Sequence, residues 1–268
     1  MKSDVVILIP IYKSQPTMNE SISFAQCIRV LGKRLVSICT YDGLGIQYYT
    51  DKLDAAKVKY TVNYFDKKYF RSTDGYNELH LSADFYKHYS RYEHMLVYQL
   101  DAYIFEDRLD EWMAKGYDYV GAPWLNEDGT RFTGVGNGGF CLKKISWWYN
   151  ELRWQLPVWS PAKILKRYPI VDFTTLRKFI VRMFGYGNNV KDLFARKYEL
   201  CNEDCLPKYI QSNSWRHKPK LPSEKEAMQF SFERFPSKLL GLNSNRLPMG
   251  CHAWEKYEYE EFWKQYIV

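Results

Sequence analysis

The sequence predicts an α/β fold with a mostly parallel, Rossmann-type central sheet flanked by helices. Short apolar runs alternate with segments of helical period through the first half of the chain, the pattern of stacked β-α-β units. The run Met95–Leu100 is almost unbroken in apolar character, as befits a strand covered on both faces, and it meets a carboxylate at Asp101. Ligands of open α/β sheets bind beyond the carboxyl ends of the strands, so Asp101 is placed to act on a ligand or its metal, or else simply caps the turn into the next helix. With 268 residues, 46% of them hydrophobic, the chain can bury a large core.

Taken in order, Val5–Ile9 reads as a buried strand that Pro10 ends. Ile22, Ala25, Ile28 and Leu31 recur at helical spacing until Gly32 stops the helix. Leu35–Thr40 is the second strand, Tyr41-Asp42-Gly43 a turn, Ile46–Ala56 a weaker helix and Val58–Phe65 the third strand. After Asp74, one helix is expected with Tyr76, Leu79, Ala83 and Tyr86 on a shared face, leading into the Asp101 strand. Asp107 can cap a short helix through Leu109, Trp112 and Met113 that ends at Gly116, and Tyr117–Gly121 follows as the next strand.

From Thr133 the pattern changes. TGVGNGGFCL places four glycines between Gly134 and Gly139, which permits close backbone approach but matches neither a dinucleotide fingerprint nor a Walker loop. Ile145–Leu156 and the basic segment Lys163–Arg182 look helical, and Pro169 interrupts the latter. Such a basic amphipathic segment can lie on an anionic membrane surface, or its charges can simply be solvated. Asn202-Glu203-Asp204 sets two adjacent carboxylates where a helix opens, with Pro207 compatible with its first turn; helix capping alone would explain them. Ser223-Glu224-Lys225-Glu226 has the form of a structural capping box. His252 closes the candidate set, between Gly250 and Trp254 in an aromatic-rich tail.

The formal net charge of +7 favours an anionic partner: nucleic acid, an acidic membrane or a phosphorylated small substrate. Against a nucleic-acid groove stand Glu203-Asp204 and the acidic Glu255–Glu261 stretch. The first apolar run is too short for a signal peptide core or a span, which implies a cytoplasmic protein, and the six cysteines then read as reduced thiols. Cys201, Cys205, Cys251 and His252 could in principle close a zinc site, although no Cys-x-x-Cys pair exists.

In this order, a Rossmann-like half, a carboxylate after the fourth strand, a Gly-rich loop, an acidic pair and a C-terminal His resemble the nucleotide-sugar glycosyltransferases of the GT-A fold. YQLDAYIF, GYDYVGAPW, VGNGGF and PMGCHAWEKY also look like a bacterial glycosyltransferase-like family of unknown function associated with polysaccharide synthesis. The resemblance implies a single GT-A-like domain over 1–268, with a nucleotide-sugar half (1–125) and a more helical acceptor and catalytic half (126–268) that carries a helical insertion at about 146–200. It implies a transferase using a nucleotide sugar, a UDP-sugar before others, and a saccharide or lipid-linked acceptor in surface polysaccharide synthesis. No nucleic-acid partner is implied; peripheral contact with the inner membrane face is allowed.

Residue by residue, Asp101 falls where the family's metal-binding Asp-x-Asp motif begins, but Tyr103 stands at its third position. The divalent ion, Mn²⁺ or Mg²⁺, would then be held by Asp101 and His252. Pro10, Tyr12, Lys13, Asp42, Arg71, Asp101, Ala102 and Tyr103 correspond to donor-binding positions, Tyr12 and Asp42 to those holding base and ribose. Lys13, Arg71 or Lys256 would neutralise the diphosphate if no ion is used. Gly136, Asn137, Gly138 and Gly139, with Trp124, correspond to the acceptor side. Asp204 matches the carboxylate that commonly serves as base, with Glu203 beside it, and a base acting directly on the acceptor implies inversion. A non-catalytic carbohydrate-binding scaffold on the same fold is the alternative.

Overall fold

The computed structural model of the chain describes residues 3–154, 156–195, 205–215 and 218–267. Their elements are β1 (Ser3–Pro10), α1 (Met18–Leu31), β2 (Leu35–Thr40), α2 (Gln47–Ala55), β3 (Tyr60–Tyr64), α3 (Thr73–His80), α4 (Ala83–His88) and β4 (Tyr92–Tyr98). Then come β5 (Ala102–Ile104), α5 (Leu109–Ala114), β6 (Tyr119–Val120), β7 (Ala122–Leu125), β8 (Phe132–Gly136), β9 (Phe140–Lys144) and α6 (Ile145–Trp154). The remainder holds α7 (Pro161–Arg167), α8 (Phe173–Met183), α9 (Val190–Ala195), α10 (Leu206–Asn213), α11 (Glu224–Ala227), β10 (Ser231–Phe232), α12 (Pro236–Leu242) and β11 (Gly250–His252).

The main sheet runs β3-β2-β1-β4-β9-β6. β1 pairs in parallel with β2 and β4, and β2 with β3, while β9 is antiparallel to both β4 and β6. The parallel part needs cover on both faces, and β1 supplies it residue by residue. Ile7 and Ile9 enter a core cluster with Phe24 and Leu31 of α1; Val6 and Leu8 enter the opposite cluster with Phe85 and Tyr86 of α4. Each such side chain, wholly buried, contributes about 1.5–3 kcal/mol relative to exposure.

Three expectations need correction. The single helix after Asp74 is two, broken at Leu81-Ser82, and the hydroxyl of Tyr86 donates to the carbonyl of His80 at the break (3.0 Å). The Gly-rich run contains the end of β8 and the start of β9, and β9 inserts between β4 and β6. The Ser223 box is half formed: Ser223 caps the amide of Glu226, but the Glu226 carboxylate turns to Lys115 (2.9 Å) and Tyr117. A reciprocal box does occur at α1, where Glu20 N donates to Thr17 Oγ1 and Thr17 N to Glu20 Oε2.

Candidate functional site

β4 ends at Tyr98, earlier than the apolar run suggests. Gln99 to Asp101 form a turn closed by Ala102 N donating to Gln99 O (2.9 Å), and the chain then reverses into β5. β5 belongs to a second sheet of order β10-β11-β5, in which Ala102 lies opposite His252 and Phe232 is beside Cys251. Glu233 follows β10 directly, so the three strands align Glu233, His252 and Asp101 in a row. His252 Nδ1 lies 3.1 Å from Glu233 Oε1 and Nε2 lies 3.2 Å from Asp101 Oδ1.

Burial drags the imidazole toward neutrality, yet the contacts with Asp101 and Glu233 outweigh it and raise the His252 pKa to about 10. Burial likewise pushes the Asp101 carboxyl up, and its contact with His252 reverses that and leaves it below the ordinary value. Despite the ion-pair distance, Asp101 Oδ1 and His252 Nε2 are shut off from solvent without an aligned hydrogen-bond partner. One carboxylate oxygen and one imidazole nitrogen facing each other, with a second carboxylate behind the ring, could hold a divalent ion. Such an ion must displace the Nε2 proton. Among the described residues no group of three or more His, Cys, Asp or Glu gathers to hold a metal.

The glycine loop packs against this row. Gly139 O accepts from Gln99 N (2.8 Å), and a Cβ on Gly139 would collide with the His252 ring, so glycine is required for the ring to sit there. In front of Asp101 opens a cleft of about 560 Å³, lined by Pro10, Tyr12 and Lys13 after β1 and by Tyr69, Arg71 and Tyr76 from the segment entering α3. Tyr12 is 51% exposed and offers a face on which a planar group can stack. Lys13 Nζ pairs with Glu20 (2.8 Å), which the Thr17 box holds in place.

Of the residues singled out in the sequence, Pro10, Tyr12, Lys13, Arg71 and Asp101 therefore meet at one cleft, with His252 beside Asp101. Gly139 backs the His252 ring and the Lys256 charge helps to lower the Asp101 carboxyl, while most of the others stand apart. Asp42 is exposed in the turn after β2, outside the cleft lining. Ala102 is fully buried, and Tyr103 packs in a third core cluster with Trp254, so the position of the missing carboxylate points into the core. Asn137 is spent on its own loop, accepting from Gly139 N (2.8 Å) and Phe140 N (3.2 Å). Trp124 covers Gly136, where a Cβ would strike its ring; Gly138 is half-buried in the same loop. Cys251 is buried in the third cluster and Cys205 packs on the second, so among the described residues these cysteines and His252 do not gather as a zinc site. Glu203 and Asp204, with Cys201, lie outside the described residues. Sequence reasoning missed Glu233 and the cleft residues Tyr69, Tyr76 and Glu255.

A family profile described as "Protein of unknown function (DUF5672)" matches residues 59–252, ending on His252. The chain belongs to that family. Among curated proteins, no sequence match to this DUF5672 chain is found. Among solved structures, the glycosyltransferase GlyE of Streptococcus pneumoniae TIGR4 is similar with a TM-score of 0.52 and 12% identity, over 100% of this chain and 61% of GlyE. The galactosyltransferase LgtC, solved with donor and acceptor sugar analogs, is similar with a TM-score of 0.50 and 8% identity, over 93% of this chain and 86% of LgtC. This chain thus spans about 60% of the length of GlyE. At these identities the likeness shows the fold, which is that of the GT-A glycosyltransferases.

Proposed function

We propose that this protein transfers a sugar from a nucleotide-sugar donor to a saccharide or lipid-linked saccharide acceptor. The observation that supports it most is the Asp101–His252–Glu233 row at the rim of a cleft beyond the carboxyl ends of β1 and β4. In this reading Tyr12 stacks on the nucleotide base, a UDP-sugar being the first donor to test, and Lys13 and Arg71 face the diphosphate. Asp101 and His252 Nε2 would hold Mn²⁺ or Mg²⁺, and Glu233 would fix the ring. The ion, when bound, supplies positive charge to the leaving diphosphate. Asp204 takes the acceptor hydroxyl proton as the acceptor oxygen bonds to the anomeric carbon and the bond to the diphosphate breaks, a single displacement that inverts the centre. Glu203 is its neighbour and substitute. The setting we assign is surface polysaccharide synthesis.

Tyr103, held in the core where the GT-A pattern has a second carboxylate, favours a second reading: a non-catalytic carbohydrate-binding scaffold on the same fold. Two measurements separate the readings. Nucleoside diphosphate with Mn²⁺ should raise the melting temperature, the stabilisation reaching about 2.7 kcal/mol at a hundred times the dissociation constant, and a chelator or Asp101→Asn should abolish the gain. Asp204→Asn should keep that binding while donor turnover falls on the order of a hundredfold or more. Saccharide binding without nucleotide binding supports the scaffold; binding of neither sinks both.

A further inference from the structure

We infer that α7 and α8 present an amphipathic surface that docks on an anionic lipid bilayer. Of the fifteen large apolar side chains exposed among the described residues, nine lie between Leu165 and Tyr186. Single exposed apolar residues are ordinary, but a concentration of them marks a contact surface. In α8, Phe173, Leu176, Ile180 and Phe184 just beyond it recur at helical spacing and share an outward face, with Phe173 79% and Phe184 75% exposed. Phe179 and Met183, on the adjoining edge of the same apolar face, pack on the second core cluster. One edge of the apolar face is therefore seated on the body while the rest is open, and no residue of α8 is fully buried.

Charge complements this face. Lys163, Lys166, Arg167, Arg177, Lys178 and Arg182 stand against one acid, Asp172, so the hairpin carries five of the chain's seven net positive charges. Asp172 is moreover engaged in capping α8, accepting from Thr175 N at 2.7 Å. The face is held rather than loose: Arg182 lies 4.2 Å over the Tyr168 ring, and the Asn188 amide donates to Arg182 O (3.1 Å) and Trp159 O (3.2 Å), which ties the end of α8 to the body.

A bilayer fits these features better than other partners do. Its interface accepts a ridge of unlike apolar side chains without shape matching, while anionic headgroups meet the flanking Lys and Arg. Nucleic acid would use the basic residues but not Leu176, Ile180 and Val181, which have no face for base stacking. A second copy would set two strongly basic surfaces against each other. No helix of the described residues is long and apolar enough to cross a membrane, so the contact lies in the interfacial plane. The inference is independent of the transferase reading, since it can be scored without donor or acceptor.

The experiment is co-sedimentation of the full chain with phosphatidylcholine vesicles, with and without about one-third phosphatidylglycerol. Binding is expected to the anionic vesicles, weaker in high salt, and lowered at least about tenfold both in Phe173→Ser/Ile180→Ser/Phe184→Ser and in Arg177→Glu/Lys178→Glu. Melting temperatures should hold, since the altered side chains are exposed; if the triple variant fails to fold, the charge-reversal variant decides. Absence of binding to anionic vesicles overturns the inference, as does equal binding by the unaltered chain and a folded variant. Self-association that the triple variant abolishes, without vesicle binding, would reassign the face to a second copy.

Discussion

His252 is held tightly beside the cleft, because carboxylates face both ring nitrogens and Gly139 backs the ring. Glu233 is the partner whose removal is most informative: it touches the ring on the side away from Asp101, so it can orient the ring without itself being a ligand. Glu233→Gln should leave the melting temperature nearly unchanged and weaken Mn²⁺ binding on the order of 10–100-fold by titration calorimetry. Unaltered Mn²⁺ affinity in the folded variant would remove the orienting role. Asp101 and His252 could be found from sequence because each sits in a distinctive phrase. Glu233 could not: the acid in FSFERF acquires meaning only when β10 pairs with β11, a contact the local pattern does not encode. Tyr103 illustrates the reverse, a motif position whose side chain the core has claimed.

At the level of elements, the glycine loop matters by what it lacks. Gly139 has no side chain to obstruct His252, and its carbonyl holds the turn that presents Asp101 through Gln99 N. Gly139→Ala should therefore fold, since the collision is with one ring rather than with backbone, and yet lose most of the stabilisation that Mn²⁺ with nucleoside diphosphate confers. Full retention of that thermal shift would show that the ring position is not required. The parallel half of the sheet was legible because strands buried on both faces announce themselves as apolar runs. β8 and β9 were not, since glycines interrupt β8 and two lysines close β9, one of them the fully buried Lys143. Lys143 lies 3.3 Å from His80 Nδ1 and 4.5 Å from the Trp148 ring centre. Its acceptability depends on helices distant in sequence, so no local rule would place it inside.

Across the whole molecule, the buried His80 and His94 and the more exposed His88 set how stability responds to acid. Burial lowers the pKa of His80, with Lys143 adding to the effect; burial also lowers His88 and His94, helped by Arg91 and Lys144 respectively. Each is neutral in the folded chain at a pH where the unfolded chain, near 6.5, takes up a proton. The unfolded state then binds more protons, so stability rises with pH in this window and falls as pH drops through about 6.5. His252 acts in the opposite sense elsewhere: raised to about 10, it contributes stability below about 6.5 that is lost as pH climbs toward 10, and in acid it is protonated in both states and drops out of the slope. Most carboxylates titrate near 4, leaving roughly pH 6.5 to 5 to the three histidines. Melting temperatures of the metal-free protein should decline across that interval, and His80→Gln should flatten the decline even though the lost ring packing lowers stability at every pH. A slope in His80→Gln equal to that of the unaltered chain would mean that His80 takes up its proton without unfolding and that the acid response originates elsewhere.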